Sequence, residues 1–385
     1  MADPSELDAL LRPLRRALRE QVVPLLPEMD ERQELPESVR QLFAHLGLFA
    51  LVIPEAYGGL SLNLTACCRV IEEIAKVDAS LAVLVQAHAT ALRPLLLAAT
   101  PEQQAHYFGE VVSRGTLFAF CLTEPQAGSD AAALATRALR EGEGYVLTGQ
   151  KRFVTNGDIA DYYLVFCRTG EGREGLSAFV VPAGSSGLSA GKREDKMGLR
   201  ASPTTDLIFE GVRVPEAARI GDEGEGFALL TATFNASRPT IAAQAVGLAQ
   251  AALDAACAYA LERRQFGRPI ADFQGLRFLL AEMAIQVEAA RALTYRVSGE
   301  YDAGQVSPAL SAMAKCFASD VAMRVATDAV QVFGGYGFLK GYPVERLMRD
   351  AKITQIYEGT NQIMRVIIAR ELLAGSTDRP SPATL

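Results

Sequence analysis

The chain has 385 residues, 49% hydrophobic and 22% charged, with a formal net charge of −7. Its length allows two or three domains around a large core. The acidic balance, with no basic stripe and no interleaving of aromatic and basic residues, argues against a nucleic-acid-binding surface.

The N-terminus, Met1 to Glu6, lacks the charged-then-apolar layout of a signal peptide. No apolar run reaches the roughly 20 residues that span a bilayer. A soluble, cytoplasmic protein without a membrane partner is therefore expected. Residues 5 to about 118 read as helical, with Leu7, Leu10, Leu11, Leu14 and Leu18 forming one apolar stripe. Pro54-Glu55-Ala56-Tyr57-Gly58-Gly59 interrupts this region, and a second helical run covers Leu64 to Ala99.

Between about 119 and 230 the pattern changes. Tyr145-Val146-Leu147, Tyr162 to Phe166, Ala178 to Val181 and Leu207-Ile208-Phe209 are short β-type runs punctuated by Gly, Asn, Asp and Pro. Such strands, without helices between them, predict a small antiparallel sheet or barrel. No Gly-x-Gly-x-x-Gly opens a helix after a strand, so a Rossmann unit is not indicated.

From Ser237 the chain reads as helical again. Three stripes are expected: Ile241, Ala245, Leu248, Ala252 and Ala255-Ala256; Leu276, Leu279, Leu280, Met283 and Val287; Met313, Phe317, Val321 and Val325. A bundle of antiparallel helices follows from them. The tail after Ser376 is expected to fray. Cys67, Cys68, Cys121, Cys167, Cys257 and Cys316 show no CxxC spacing and read as reduced core residues. His45, His88 and His106 are not at helical ligand spacing, so no metal site is expected. Helices, then a small β domain, then a bundle put the default ligand cleft between the last two.

Six segments carry a resemblance, in this order: Pro54 to Gly59; Leu122-Thr123-Glu124-Pro125-Gln126-Ala127-Gly128-Ser129-Asp130; Gly149 to Gly157; Arg263 to Gly267; Gln331 to Gly337; and Tyr357-Glu358-Gly359-Thr360-Asn361-Gln362. In the last, a carboxylate stands at a helix break beside a glycine that admits a ligand close to the backbone. Across nearly its whole length the chain resembles the acyl-CoA dehydrogenase family, its C-terminal third being most like the medium-chain members.

That resemblance implies a mainly α protein with a central β domain: an N-terminal helical domain (1–118), a small antiparallel β-barrel (119–232) and a C-terminal four-helix bundle (233–385). It implies a homotetramer with one FAD per subunit, acyl-CoA as substrate and an electron-transferring flavoprotein as acceptor. Leu122, Thr123, Gly128, Ser129, Phe153 and Thr155 would meet the flavin and its pyrophosphate. Read by themselves, Thr123 and Ser129 are turn-forming side chains in a Gly-rich loop. Arg263, Phe266, Gln331 and Gly335 would hold the FAD diphosphate and adenosine of a neighbouring subunit, Arg263 through the paired donors of its planar fork. Thr360 and Gln362 would add flavin contacts.

The implied reaction is α,β-desaturation of an acyl thioester, with Glu358 removing the α-proton while flavin N5 takes the β-hydride. Burial beside an acyl chain would raise the Glu358 pKa and strengthen the base. The backbone N–H of Glu358 and a flavin hydroxyl would stabilise the enolate oxygen. Tyr357 and Gly359 would flank the thioester, and Asn235 and Arg238 would hold the pantetheine-bearing partner.

Three features depart from the family pattern. Phe153 stands where many relatives carry tryptophan, and the chain has none. Asn235 stands where an aspartate is common, which keeps an acyl carrier protein open as the thioester's carrier. Arg93 interrupts the apolar run from Ala91 to Leu97. It reads either as a contact for a polar or anionic acyl tail or as a side chain reaching solvent or a local carboxylate. An oxygen-using oxidase and a non-enzymatic thioester-binding protein are the competing readings, and Glu358 speaks against the second.

Overall fold

The computed structural model describes residues 4–374, so the tail after Ser376 lies outside the described residues. Six helices come first: α1 Pro4–Ala17, α2 Leu26–Arg32, α3 Glu37–His45, α4 Leu64–Ala75, α5 Ala79–Ala98 and α6 Pro101–Arg114. The helical run expected from Leu64 to Ala99 is two helices, because polar caps restart it. The Asn63 side chain accepts from Ala66 N–H and that of Asp78 from Leu81 N–H, each worth about 1 kcal/mol. Leu11, Leu14 and Leu18 are buried as the stripe predicts, with Leu7 and Leu10 packed beside them.

The middle of the chain forms an eight-stranded sheet: β1 Phe118–Cys121, β2 Arg137–Glu141, β3 Gly144–Thr155, β4 Tyr162–Arg168, β5 Leu176–Pro182, β6 Leu188–Ala190, β7 Thr204–Pro215 and β8 Arg219–Ile220. The strand path is β6-β7-β3-β2-β4-β5-β8, with β1 beside β4. It is antiparallel except where β1 and β2 each run parallel to β4. The expectation of a purely antiparallel sheet is corrected at these two pairs, where the 122–136 loop carries the chain away from β1. Strand β2 had no sequence signal, because only Ala138 of its five residues is buried.

The last part is α7 Gly226–Glu262, a hairpin of β9 Arg264–Gln265 and β10 Arg268–Pro269, then α8 Gln274–Asp302, α9 Pro308–Phe333, α10 Pro343–Thr354 and α11 Asn361–Ala374. Helix α7 begins ahead of the boundary expected at 233. Pro239 lies inside it, where proline reads as a helix breaker. The missing Pro239 N–H frees the Asn235 carbonyl, and the Ser311 hydroxyl of α9 donates to that oxygen at 3.0 Å.

The inward stripe of α9 is Ala314, Ala318, Val321, Ala322 and Val325, whereas Phe317, expected inside, is 41% exposed. Small residues let α7 and α9 lie close and turn the larger ring outward. Gly247 serves the same end at the α4 crossing, where a Cβ would stand 2.5 Å from the Glu72 carbonyl. Helices α5 and α7 are in fact long and apolar enough to cross a bilayer, contrary to the reading of the sequence, but 67% of each such window is buried within the fold. They are apolar around their whole circumference because they pack on all sides.

The three parts are fastened together at α10. Arg349 pairs with Asp30 of α2 at 2.8 Å, and the buried Asp350 carboxylate accepts the Leu199 N–H of the β domain at 2.7 Å. Burial, reinforced by the Asp78 charge, pushes the Asp350 carboxyl up. Helix α10 therefore delivers the segment that follows it to a fixed place.

Candidate active site

That segment is the turn Tyr357-Glu358-Gly359 between α10 and α11. Glu358 has φ +55° and Gly359 φ +96°. A left-handed glutamate costs on the order of 1–3 kcal/mol and persists only where its surroundings fix it. Here Lys315 Nζ donates to the Gly359 carbonyl at 2.7 Å and to Asn361 Oδ1 at 2.9 Å. Asn361 Nδ2 in turn donates to Asp320 Oδ1 at 2.8 Å. The Tyr357 hydroxyl donates to Gln244 Oε1, and Gln244 Nε2 to the Ala79 carbonyl of α5. The Glu358 N–H has no acceptor among the described residues.

The Glu358 carboxylate meets α7. Ser237 Oγ donates to its Oε2 at 2.7 Å, and the Arg238 guanidinium stands against its backbone carbonyl at 3.5 Å. Burial pushes the carboxyl above its ordinary pKa, and the Ser237 bond and the Arg238 and Lys315 charges pull it only part of the way back. Burial also lowers Lys315, to about 8, and Arg238. The result is a carboxylate with raised basicity, facing two buried cations that favour its ionised form.

Glu358 opens on a cavity of about 1010 Å³ between the β domain, α5 and the bundle. Its β-side wall is the loop after β1 and the end of β3. A register shift between Lys151 and Val154 makes a bulge there, with Phe153 at φ +57° and 57% exposed to the cavity. The Arg152 N–H donates to the Thr123 carbonyl at 2.7 Å, which ties loop to bulge. Beneath them the fully buried Lys151 Nζ meets Glu124 Oε1 at 2.7 Å and the Leu122 carbonyl at 3.1 Å.

Leu122, Gly128, Thr155, Asn235, Arg238 and Tyr357 also line this cavity, as do Thr123, Ser129 and Gly359. The Thr123, Ser129 and Thr155 hydroxyls have no partner among the described residues. Unpaired hydroxyls around an exposed ring, in a volume at the upper end of small-molecule sites, fit a flavin cofactor with an acyl group beside it. Asn235 Oδ1 is buried without a partner.

Not every expected residue is brought here. Thr360 accepts the Ile363 N–H as the cap of α11, and Gln362 is exposed on that helix; neither lines the cavity. Arg263, Phe266, Gln331 and Gly335 lie elsewhere, on an outer face where Arg263 covers the Tyr336 ring and Phe266 is 93% exposed. Arg93 borders a separate void of about 20 Å³ instead of the main cavity. Ser237, Lys315 and Gln244 were missed in the sequence. Lys315 had a signal, a lone lysine inside an alanine-rich helix face; Ser237 lay unremarked between Asn235 and Arg238.

Comparison with known proteins gives matches along the whole chain. Residues 4–115, 119–212 and 224–373 match the family models described as acyl-CoA dehydrogenase N-terminal, middle and C-terminal domains. An acyl-CoA dehydrogenase of Bacillus subtilis is 44% identical over 366 residues, covering 94% of this chain and 97% of that protein. The structure of butyryl-CoA dehydrogenase from Megasphaera elsdenii superposes with TM-score 0.94 at 38% identity, covering 97% of this chain and 99% of the other. The prolyl acyl carrier protein oxidase AnaB superposes with TM-score 0.92 at 31% identity, covering 96% and 100%.

Proposed function

The chain belongs to the acyl-CoA dehydrogenase family of FAD-dependent oxidoreductases, and from that membership we propose that it desaturates an acyl-CoA between the α- and β-carbons with Glu358 as the base. The observation that carries this reading is the Glu358 carboxylate at the cavity wall, raised in basicity by burial and held by Ser237.

Ser237 holds Oε2, which leaves Oε1 to take the α-proton. The two cations behind the turn keep the resting carboxylate ionised, and burial makes it the stronger base. The Glu358 N–H, which has no acceptor in the chain, donates to the thioester oxygen as negative charge grows there. Phe227, Leu230 and Phe234 of α7 give the acyl chain an apolar wall that excludes water. Bound FAD supplies the acceptor for the β-hydride. Thr123, Ser129 and Thr155 would hold it, with Phe153 against it. Arg263, Phe266, Gln331 and Gly335 would serve the FAD of a second copy in a homotetramer; Phe338 and Leu261, 88% and 69% exposed, supply apolar surface for that contact. An electron-transferring flavoprotein is the expected acceptor.

The likeness to a protein named as an acyl carrier protein oxidase favours one second reading, the same proton abstraction on a carrier-bound thioester. Deuterium uptake at the α-carbon tests the base. With FAD bound, the wild type exchanges the α-proton of an acyl-CoA with deuterium oxide and Glu358→Gln does not. Equal exchange by both would overturn the assignment.

A further inference from the structure

Gln86 of α5 stands at the far wall of the main cavity and is only 3% exposed. Its Nε2 donates to Thr240 Oγ1 at 2.9 Å, and the Thr240 hydroxyl itself donates to the Ser237 carbonyl at 2.7 Å. Thr240 can therefore only accept from Gln86, which fixes the amide's orientation. Gln86 Oε1 is left buried with no partner, a state that costs about 1–3 kcal/mol unless a donor reaches it.

Gln86 also borders the small void of about 20 Å³, together with Thr90, Arg93, Ser237 and Thr240. Arg93 is partly buried and forms no ion pair or hydrogen bond among the described residues. A residue with an unpartnered acceptor and a residue with an unpartnered cation thus border the same space. That space has room for one small polar group. A hydroxyl is the simplest group that donates and accepts at once.

We infer that the acyl cavity ends in a polar subsite at Gln86, whose unpartnered Oε1 is backed by Arg93 across the small void, and that this subsite selects acyl thioesters carrying a hydroxyl at the distal end of the chain. This rests on the acyl-thioester reading above. Ser237 touches the base, and Thr240 lies one turn further along α7, about 5 Å away. The chain that spans this distance is short. Phe234 and Ile241 of α7 give the cavity apolar lining beside it. Gln86 determines specificity here and takes no part in proton transfer.

The test is the ratio of kcat/KM for an ω-hydroxyacyl-CoA to that for the plain acyl-CoA of equal length. Both are measured on one FAD-loaded preparation, so that the ratio is independent of the active fraction. The wild type is expected to favour the hydroxylated thioester by roughly tenfold or more. Gln86→Leu should reverse the preference, and Arg93→Met should weaken it. A wild type that favours the plain chain, or a ratio unchanged in Gln86→Leu, would overturn the subsite and leave a hydrated void only. If neither thioester reduces the flavin, the desaturation reading fails. The subsite is then decided by the affinity of Glu358→Gln for the same two thioesters, where equal affinities refute it.

Discussion

Replacing Glu124 with glutamine changes no heavy-atom count, yet it removes the charge that neutralises Lys151 beneath the cavity wall. Both side chains are essentially inaccessible, at 0% for Lys151 and 1% for Glu124. Glu124 Oε1 accepts from Lys151 and from the Thr136 N–H at 2.9 Å; Oε2 accepts from the Ala135 N–H at 2.6 Å and from Gln126 at 2.9 Å. Burial alone would push this carboxyl up, but the Lys151 charge and these donors hold it below its ordinary pKa. A glutamine must turn its NH2 toward one of the two backbone donors, whichever way it is flipped. That orphans an N–H at about 1–3 kcal/mol and leaves a buried cation unpaired, for a total of about 3–5 kcal/mol. The Leu122 carbonyl shares Lys151, so the loop presenting Thr123 should loosen and FAD affinity fall with stability. Urea unfolding followed by circular dichroism, alongside flavin fluorescence, reads both. Glu124→Gln/Lys151→Met should recover part of the loss, because it removes the stranded charge. A cost below about 1 kcal/mol, or strictly additive single and double variants, would refute the reasoning.

Removing the Ser237 hydroxyl takes away a bond that stabilises the ionised Glu358, so Ser237→Ala should move the acid limb of the kcat–pH profile upward. Turnover at mildly acid pH should fall several-fold with little change on the alkaline plateau; an unmoved limb would remove Ser237 from this role. His88 accepts the Phe118 N–H at Nδ1 and meets the Phe49 carbonyl at Nε2, an arrangement that suits only the neutral ring. Burial lowers its pKa from 6.5 to about 4. Its stabilising contribution is therefore full above pH 6.5 and is lost as the pH falls toward 4, by about 3 kcal/mol in all. Urea midpoints across that window should fall more steeply for the wild type than for His88→Gln, and parallel slopes would contradict the assignment. Gly247→Ala would drive a Cβ against the Glu72 carbonyl and Ala75 at the α4–α7 crossing. It should cost about 1–3 kcal/mol in thermal or urea unfolding, whereas an unchanged midpoint would show that the helices part freely.

Periodicity made the helical first and last parts legible, and β-type runs located strands β3, β4, β5 and β7. Strand β2 was invisible because its register buries one alanine and exposes charges. Helix α7 starts ahead of Ser237, where the sequence reads as helical again, and the Pro239 inside it is tolerated because the distant Ser311 hydroxyl takes the carbonyl it frees. In the α9 stripe Val321 and Val325 are buried as expected, but at its start Ala314 and Ala318 face inward in place of Met313 and Phe317, since phenylalanine outweighs alanine in any hydrophobic pattern while close helix packing prefers alanine. At the site, the motifs named Glu358, its neighbours and the loop facing it across the cavity. They did not name Ser237 or Lys315, whose importance comes from contacts more than 40 positions away in the chain. The left-handed conformation of Glu358 is likewise set by Lys315 and Arg238, not by the residue type. Arg93 stands out in the sequence as a charge in an apolar run, but its place at the small void beside Gln86 depends on how α5 packs against α7.

The most direct test of the central claim is anaerobic titration of the FAD-loaded protein with acyl-CoAs, followed by the flavin absorbance. Straight, branched and hydroxylated chains should be compared, then the same acyl groups on a carrier protein. At least one thioester should bleach the wild-type flavin, while Glu358→Gln retains FAD and stays yellow with every one. Bleaching of Glu358→Gln at the wild-type rate would show that Glu358 is not the base.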